Sequence, residues 1–164
     1  MHKRFKKKQL GFLINPFRMA PPPPITYSYR YWRFYITAST LAGSVGFSEI
    51  ELRGSVGGVD ITAPATPVTA SSYFNVYAPF KVVNNNNAVF DQWLATDALP
   101  QWLYVDLANP TQVAEVMMRG EDSTSPSSPS AFLIQGSNDA ITWFTVKTLT
   151  GLPWGASETK LFTL

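Results

Sequence analysis

The chain is 164 residues long, 45% hydrophobic and 14% aromatic, with no cysteine and one histidine. That is the length of one domain with apolar material for a real core. It excludes a disulfide scaffold, thiolate chemistry and Cys-ligated metal, and with His2 set among lysines it leaves no imidazole in the body for a catalytic triad or a His-ligated ion.

The net charge of +2 hides an asymmetry. Lys3, Arg4, Lys6, Lys7, Lys8 and Arg18 precede every acidic residue, whereas all eleven acids lie at Glu49 or later against seven Lys/Arg, a body of net −4. Residues 1–24 read as a basic, proline-hinged arm and residues 25–164 as the folded body. The short apolar run at Leu10–Ile14 ends at Asn15-Pro16 with no small-residue cleavage site close behind, so it does not read as a signal peptide. No segment approaches the roughly 18 apolar residues that a bilayer span requires, so no membrane insertion is expected.

Pro21–Pro24 fix an extended polyproline II segment, a stiff spacer before the body. Phe12, Leu13, Ile14 and Phe17 are large apolar side chains that a purely solvating tail has little reason to carry. With Lys6, Lys7 and Lys8 they form a candidate docking arm for a neighbouring subunit. A solvated tail is the plainer reading, and nucleic-acid contact through the lysines the weakest of the three.

Along the body, short apolar runs alternate with turn chemistry, the pattern of strands. Tyr27–Thr37 predicts a strand with Trp32, Phe34 and Ile36 on one face and Arg33, Tyr35 and Thr37 on the other. Phe47–Gly54 predicts a second, with Ile50 and Leu52 inward and Glu49, Glu51 and Arg53 outward. Val59–Pro79 predicts one or two short edge strands, because its prolines bar central positions. Lys81–Val83 reads as a short strand, Asn84–Asn87 as a loop, and Ala88–Ala98 as holding one helical turn. Further strands are expected at Trp102–Leu107, Val113–Met118, Ala131–Gln135, Trp143–Val146 and Thr159–Leu164, with turns at Asn109-Pro110, the Ser123–Ser130 tract and Gly136–Asp139. About eight antiparallel strands without helical interludes predict an all-β jelly-roll sandwich. Its core is expected to hold Trp32, Phe34, Ile50, Leu52, Leu103, Val105, Leu107, Phe132, Ile134, Phe144, Val146 and Phe162.

Phe90-Asp91 with Thr96, then Gln101–Leu107, Val113, Val116, Phe132–Asp139, Trp143 and Val146, occur in an order and spacing that resembles the galactose-binding-like jelly roll of the discoidin or coagulation-factor type C family. The resemblance covers roughly Val83 to Val146. Tyr31–Thr37 and Ser48–Leu52 look like the strand pair that usually ends such a domain, which implies a permuted strand order. The opening at Tyr31, the ending Trp154–Leu164 and Gly11–Phe17 are also similar to phage and prophage virion proteins. The resemblance therefore implies a structural component of a phage tail, neck or head, with other virion proteins and copies of itself as partners and the virion as its location. The family's frequent calcium loop, Asp-Gly-Asn, is here Asp91-Gln92-Trp93, so only Asp91 carries over, with Asp97 and Asn84–Asn87 as further oxygen sources. Asp139 is likewise followed by Ala140 in place of glycine.

Reactive chemistry is sparse. Glu121-Asp122 and Glu49/Glu51 are the close carboxylate pairs, read as solvated turn residues and an exposed sheet face rather than a glycosidase pair. Gly54–Gly58 lacks the Lys-Ser/Thr and helix of a phosphate loop, and the serines lack a His or Lys partner at recognisable spacing. No enzyme and no cofactor are expected, calcium at Asp91 excepted. The alternative to a structural role is a carbohydrate-binding module for host-surface glycan, in which the loop aromatics Trp93, Trp154, Tyr77 and Tyr73 would stack on sugar rings and the Asn84–Asn87 loop, Asn85 and Asn86 above all, would bond the hydroxyls. The plainer reading of both tryptophans is that they close the end of the core.

Overall fold

The computed structural model describes residues 26–164, so the arm expected at 1–24, with its apolar and lysine residues, lies outside the described residues. Ten strands form: β1 (Tyr27–Ser39), β2 (Val45–Phe47), β3 (Glu49–Arg53), β4 (Val68–Ala70), β5 (Trp93–Ala95), β6 (Gln101–Val113), β7 (Glu115–Arg119), β8 (Pro129–Ser137), β9 (Phe144–Leu149) and β10 (Thr159–Thr163). A five-stranded sheet runs β4-β6-β1-β8-β9, a three-stranded sheet β10-β7-β3, and β2 pairs with β5. Every named pairing is antiparallel. The fold is thus the expected all-β sandwich.

Strand β1 sits at the centre of the larger sheet, in register with β6 (Phe34 opposite Leu103) and β8 (Phe34 opposite Ile134). Its alternation is strict: Trp32, Phe34 and Ile36 are fully buried while Tyr31, Arg33 and Tyr35 between them are not. The buried set meets Leu103, Val105, Phe132 and Ile134 from its own sheet and Ile50, Leu52, Val116, Met118 and Phe162 from the smaller one. Aromatic edges lock this core, with Phe132 edge-on to Phe162 across the sheets at 5.7 Å.

Four local expectations are corrected. Pro79–Val83 is a single 3-10 turn and not a strand: Pro79, with its fixed φ, starts it, and Val82 and Val83 are both buried. Trp93–Ala95, expected near a helical turn, is strand β5, held by pairing to Val45–Phe47. The predicted turn at Asn109-Pro110 is absorbed within β6: Ala108 takes a positive φ of 65°, and the register with β1 shifts between Tyr29 and Tyr31. A bulge uses the same backbone conformations as a turn and lets the strand continue. Phe144, expected in the core, is 56% exposed on edge strand β9, where its ring stacks on Tyr29 at 6.1 Å. Leu107 and Val146 are only partly buried against the core.

Tyr29 lies directly above Gly136 of β8, so that a methyl group at 136 would overlap its ring. Gly136→Ala should therefore destabilise the fold by about 1–3 kcal/mol through overpacking. Urea denaturation followed by tryptophan fluorescence measures this, and an unchanged midpoint would contradict the packing described.

Candidate functional site

The outward side of β1 is not the small polar face usual for a solvated sheet. Cross-strand register places Tyr35 beside Trp102, Arg33 beside Tyr104, and Tyr31 beside Asp106. Trp102 and Tyr104 stack almost parallel, with centroids 5.8 Å apart and planes 8° apart. Tyr104 meets Tyr31 edge-on at 5.7 Å and Trp143 at 5.7 Å and 41°. The Arg33 guanidinium lies 4.1 Å from the Trp143 centroid and 5.3 Å from that of Tyr35. Arg30 sits 4.7 Å over Tyr31 and grips Asp106 with two hydrogen bonds, 2.8 and 2.9 Å. Five aromatic rings and two arginines thus form one connected, half-buried platform spanning β1, β6 and the turn before β9.

The platform is held together by contacts of its own. Each ring contact of this type contributes roughly 0.5–1.5 kcal/mol beyond area burial, and cation–π contacts at exposed positions about 0.5–1 kcal/mol. Arg33 is held further by donating from Nε to Oε1 of Gln135 at 2.9 Å. Burial lowers the Arg33 pKa from its ordinary value, Tyr35 opposing, whereas the hydrogen bond to Arg30 holds Asp106 below the usual carboxylate range. Tyr, Trp and Arg on fixed rotamers are the residues that anchor protein and sugar contacts at low entropic cost. The signal was present in the sequence, as outward aromatics at Tyr31, Tyr35, Trp102 and Tyr104. The pairing of segments some seventy positions apart was not.

The residues singled out for sugar contact separate. Trp93 is fully buried, edge-on to Phe47 at 5.3 Å, with its Nε1–H donating to the Ser72 carbonyl at 2.9 Å. Trp154 is 8% exposed, donates to the Pro129 carbonyl at 2.8 Å, and has Lys160 Nζ 5.0 Å from its ring centroid. A ring with no free face cannot stack on a pyranose, so both close the core. Tyr77 is half-buried, and Asn85 and Asn86 are exposed. The side-chain Oδ1 of Asn86 accepts from the amide of Ala88, an Asx turn that shapes the loop. Exposed Tyr73, Phe74, Phe80 and Phe90 occupy the same stretch of chain, between β4 and β5.

Asp91 gathers part of that stretch. One oxygen accepts from Asn84 Nδ2 at 2.7 Å and the other pairs with Lys81 Nζ at 3.0 Å, while Lys81 lies 5.9 Å from the Tyr77 centroid. Calcium needs several oxygens, and an ammonium already neutralises this carboxylate. Asp97 is exposed, and among the described residues no three His, Cys, Asp or Glu side chains gather. The residues present do not fit the ion that the loop resemblance implies.

The carboxylate pairs are also structural. Glu121 is not solvated: its carboxylate accepts from the Ser127 amide at 2.5 Å, the Ser127 hydroxyl at 2.6 Å and Gln92 Nε2 at 2.9 Å, and so pins the Ser/Pro loop. Asp122 pairs with Arg119 at 2.6 Å and accepts from the Phe90 amide and the Ser157 hydroxyl. Glu49 points away from the core as expected, yet is only 2% exposed, and neither of its oxygens has a hydrogen-bond partner. Desolvation, reinforced by the charges of Asp60 and Glu51, raises its pKa to about 8, against a small opposing pull from the Asn85 and Ile50 amides.

A carboxyl whose folded pKa lies above its unfolded value favours the fold while protonated, so its contribution fades as pH rises from about 4.5 through about 8. Wild-type stability should fall across that window by up to about 1.4 kcal/mol per pH unit. Glu49→Gln should flatten the slope and be the more stable form at the alkaline end. Denaturant titrations of both proteins across the window check this, and parallel pH profiles would contradict it. Unfolding midpoints should not respond to EDTA or millimolar calcium, and a calcium-dependent rise would restore the ion.

Comparison with known proteins places the scaffold. A family model for the F5/8 type C domain matches residues 67–163, more than half of the chain. No curated protein and no solved structure matches it. Strands β1–β3 precede the matched residues yet complete the sheets, β1 between β6 and β8 and β3 beside β7. Among the described residues no helix is long and apolar enough to cross a membrane. An antiparallel sandwich with an aromatic outer face, matched over β4 to β10 by one family model, belongs to the F5/8 type C domain family.

Proposed function

We propose that this chain is a non-enzymatic structural component of a phage virion, which assembles through the outer face of its larger sheet and its N-terminal arm. The observation that carries the reading is the aromatic–arginine platform. A sheet face in contact only with water has no use for Trp102, Tyr104, Tyr31 and Trp143 in mutual contact, with Tyr35 joined through Arg33, because each ring leaves apolar area in water. An interface does, and such residues dominate binding energy where they occur. The virion setting rests on the sequence similarity of Gly11–Phe17, Tyr31–Thr37 and Trp154–Leu164 to virion proteins. The non-enzymatic reading is supported by the carboxylates Glu121, Asp122 and Asp91 all being tied up in loop structure.

A second reading, a module for host-surface glycan, is favoured by the family, which is of a ligand-binding type, and by the exposed aromatics Tyr73, Phe74, Phe80 and Phe90. With Trp93 and Trp154 buried, any glycan contact falls to these and to Tyr77, Asn85 and Asn86. Binding on a glycan array that disappears in Tyr73→Ala would support it.

Two variants separate the readings. Deleting residues 1–20 should leave the unfolding midpoint unchanged and abolish incorporation into particles. Trp143→Ala should reduce incorporation at least about tenfold, the loss of one interface anchor of more than about 1.4 kcal/mol. Normal incorporation of both proteins would reject the structural role.

A further inference from the structure

We propose that Lys81 is the resident cation of the loop between the 3-10 turn and β5: its ammonium, in place of a metal ion, closes residues 84–91 into one circuit and holds Phe90 in a strained backbone with its side chain turned to solvent. The inference is independent of both functional readings above. It starts from the mismatch between this loop and the ion that its resemblance implies. Local structure brings three groups together. Pro79 starts the turn, and the fully buried Val82 and Val83 anchor it to the core. Side chains three apart eclipse in a 3-10 turn, so Lys81 and Asn84, which caps the turn, project on one side. Both reach Asp91: Lys81 Nζ lies 3.0 Å from one carboxylate oxygen, and Asn84 Nδ2 donates to the other at 2.7 Å. A relay then runs back along the loop. Asn84 Oδ1 accepts from the Asn86 amide at 2.9 Å, Asn86 Oδ1 from the Ala88 amide at 3.1 Å, and the Ala88 carbonyl from the Asp91 amide at 3.0 Å. The circuit begins and ends on Asp91.

That circuit leaves a metal nothing to do. The side-chain oxygens of Asn84 and Asn86 are spent on the loop's own amides, whereas calcium takes six to eight oxygens turned toward it. Turning the Asn84 carboxamide over would set its oxygen against a carboxylate and its NH2 against an amide N–H, so the network admits one orientation. Asp91 carries the one formal charge of residues 84–91. Lys81 offsets it where the two side chains are only 20% and 12% exposed. Removing one partner of a pair so shielded strands the other charge. The circuit also stores strain. Phe90 has a φ of 62°, a left-handed conformation that bulky residues rarely adopt. Its own amide donates to Asp122 at 3.1 Å, and its neighbour Asp91 is held by Lys81. Its ring is 54% exposed, so packing in the core does not impose the conformation.

The test uses the full chain and NMR hydrogen exchange at single amides. Lys81→Met keeps an unbranched apolar stem and removes the charge. It should speed exchange at the Asn86, Ala88 and Asp91 amides at least about tenfold, with a much smaller effect at Phe34 in β1. Phe90 should leave its left-handed conformation, read from its Cα and Hα shifts. Lys81→Arg, which restores the charge, should stay within about threefold of wild type at the same amides. If Lys81→Met does not fold, Lys81→Gln, which still donates to Asp91 without a charge, takes its place. Millimolar calcium should not slow loop exchange in the uncharged variant, because the oxygens are spent. Loop amides as slow in the uncharged variant as in wild type would overturn the assignment. So would equal acceleration in the loop and in β1, which would make Lys81 a general stability residue. Recovery of protection with calcium would return the loop to a metal site and overturn it as well.

Discussion

Strand β1 is hydrogen-bonded to β6 on one edge and β8 on the other, and it has no freedom of register. A slip of one residue would carry Trp32, Phe34 and Ile36 to the solvent side and draw Arg33 into the core. Burial of three large apolar side chains, at about 25 cal/mol per Å2 of apolar surface, holds that register against any alternative. The outward residues are then placed by the same constraint. Tyr31, Arg33 and Tyr35 must emerge opposite Asp106, Tyr104 and Trp102. The platform is therefore a consequence of core packing, and its precision is inherited from the core.

What was legible in the sequence follows from the same logic. The two-residue period of Tyr27–Thr37 and the alternation of Trp102–Leu107 announce strands because burial on one face is a local property of the pattern. The partner of each strand is not local. Trp102 and Tyr35 are 67 positions apart, so no local pattern announces that these aromatics become neighbours on pairing. Trp93 and Trp154 close the core, the plainer of their two readings, but the contacts with Phe47, Ser72 and Pro129 that bury them lie in no local window.

Misread elements share a second cause, in which local chemistry was recognised but its structural use was not. Asn109-Pro110 carries turn residues, and the chain spends them on a bulge inside β6, with Ala108 at positive φ. Glu49 alternates with inward Ile50 as expected, yet it is buried, and its carboxyl is left without partners. Asp91 does hold its loop together, but through Lys81 and Asn84 instead of a metal ion. In each case the residue type was informative about its backbone or charge and silent about what tertiary structure would bring against it.

The proposed structural role requires the outer face of the larger sheet to be covered when the protein is at work. Oxidative footprinting compares this directly in the free chain and in assembled particles. Trp102, Tyr104 and Trp143 should be reactive in the free chain and strongly protected in particles, while Tyr73, Phe74 and Phe80 keep their reactivity. Protection of the loop aromatics with the sheet face still reactive would contradict the account and hand the function to the loops.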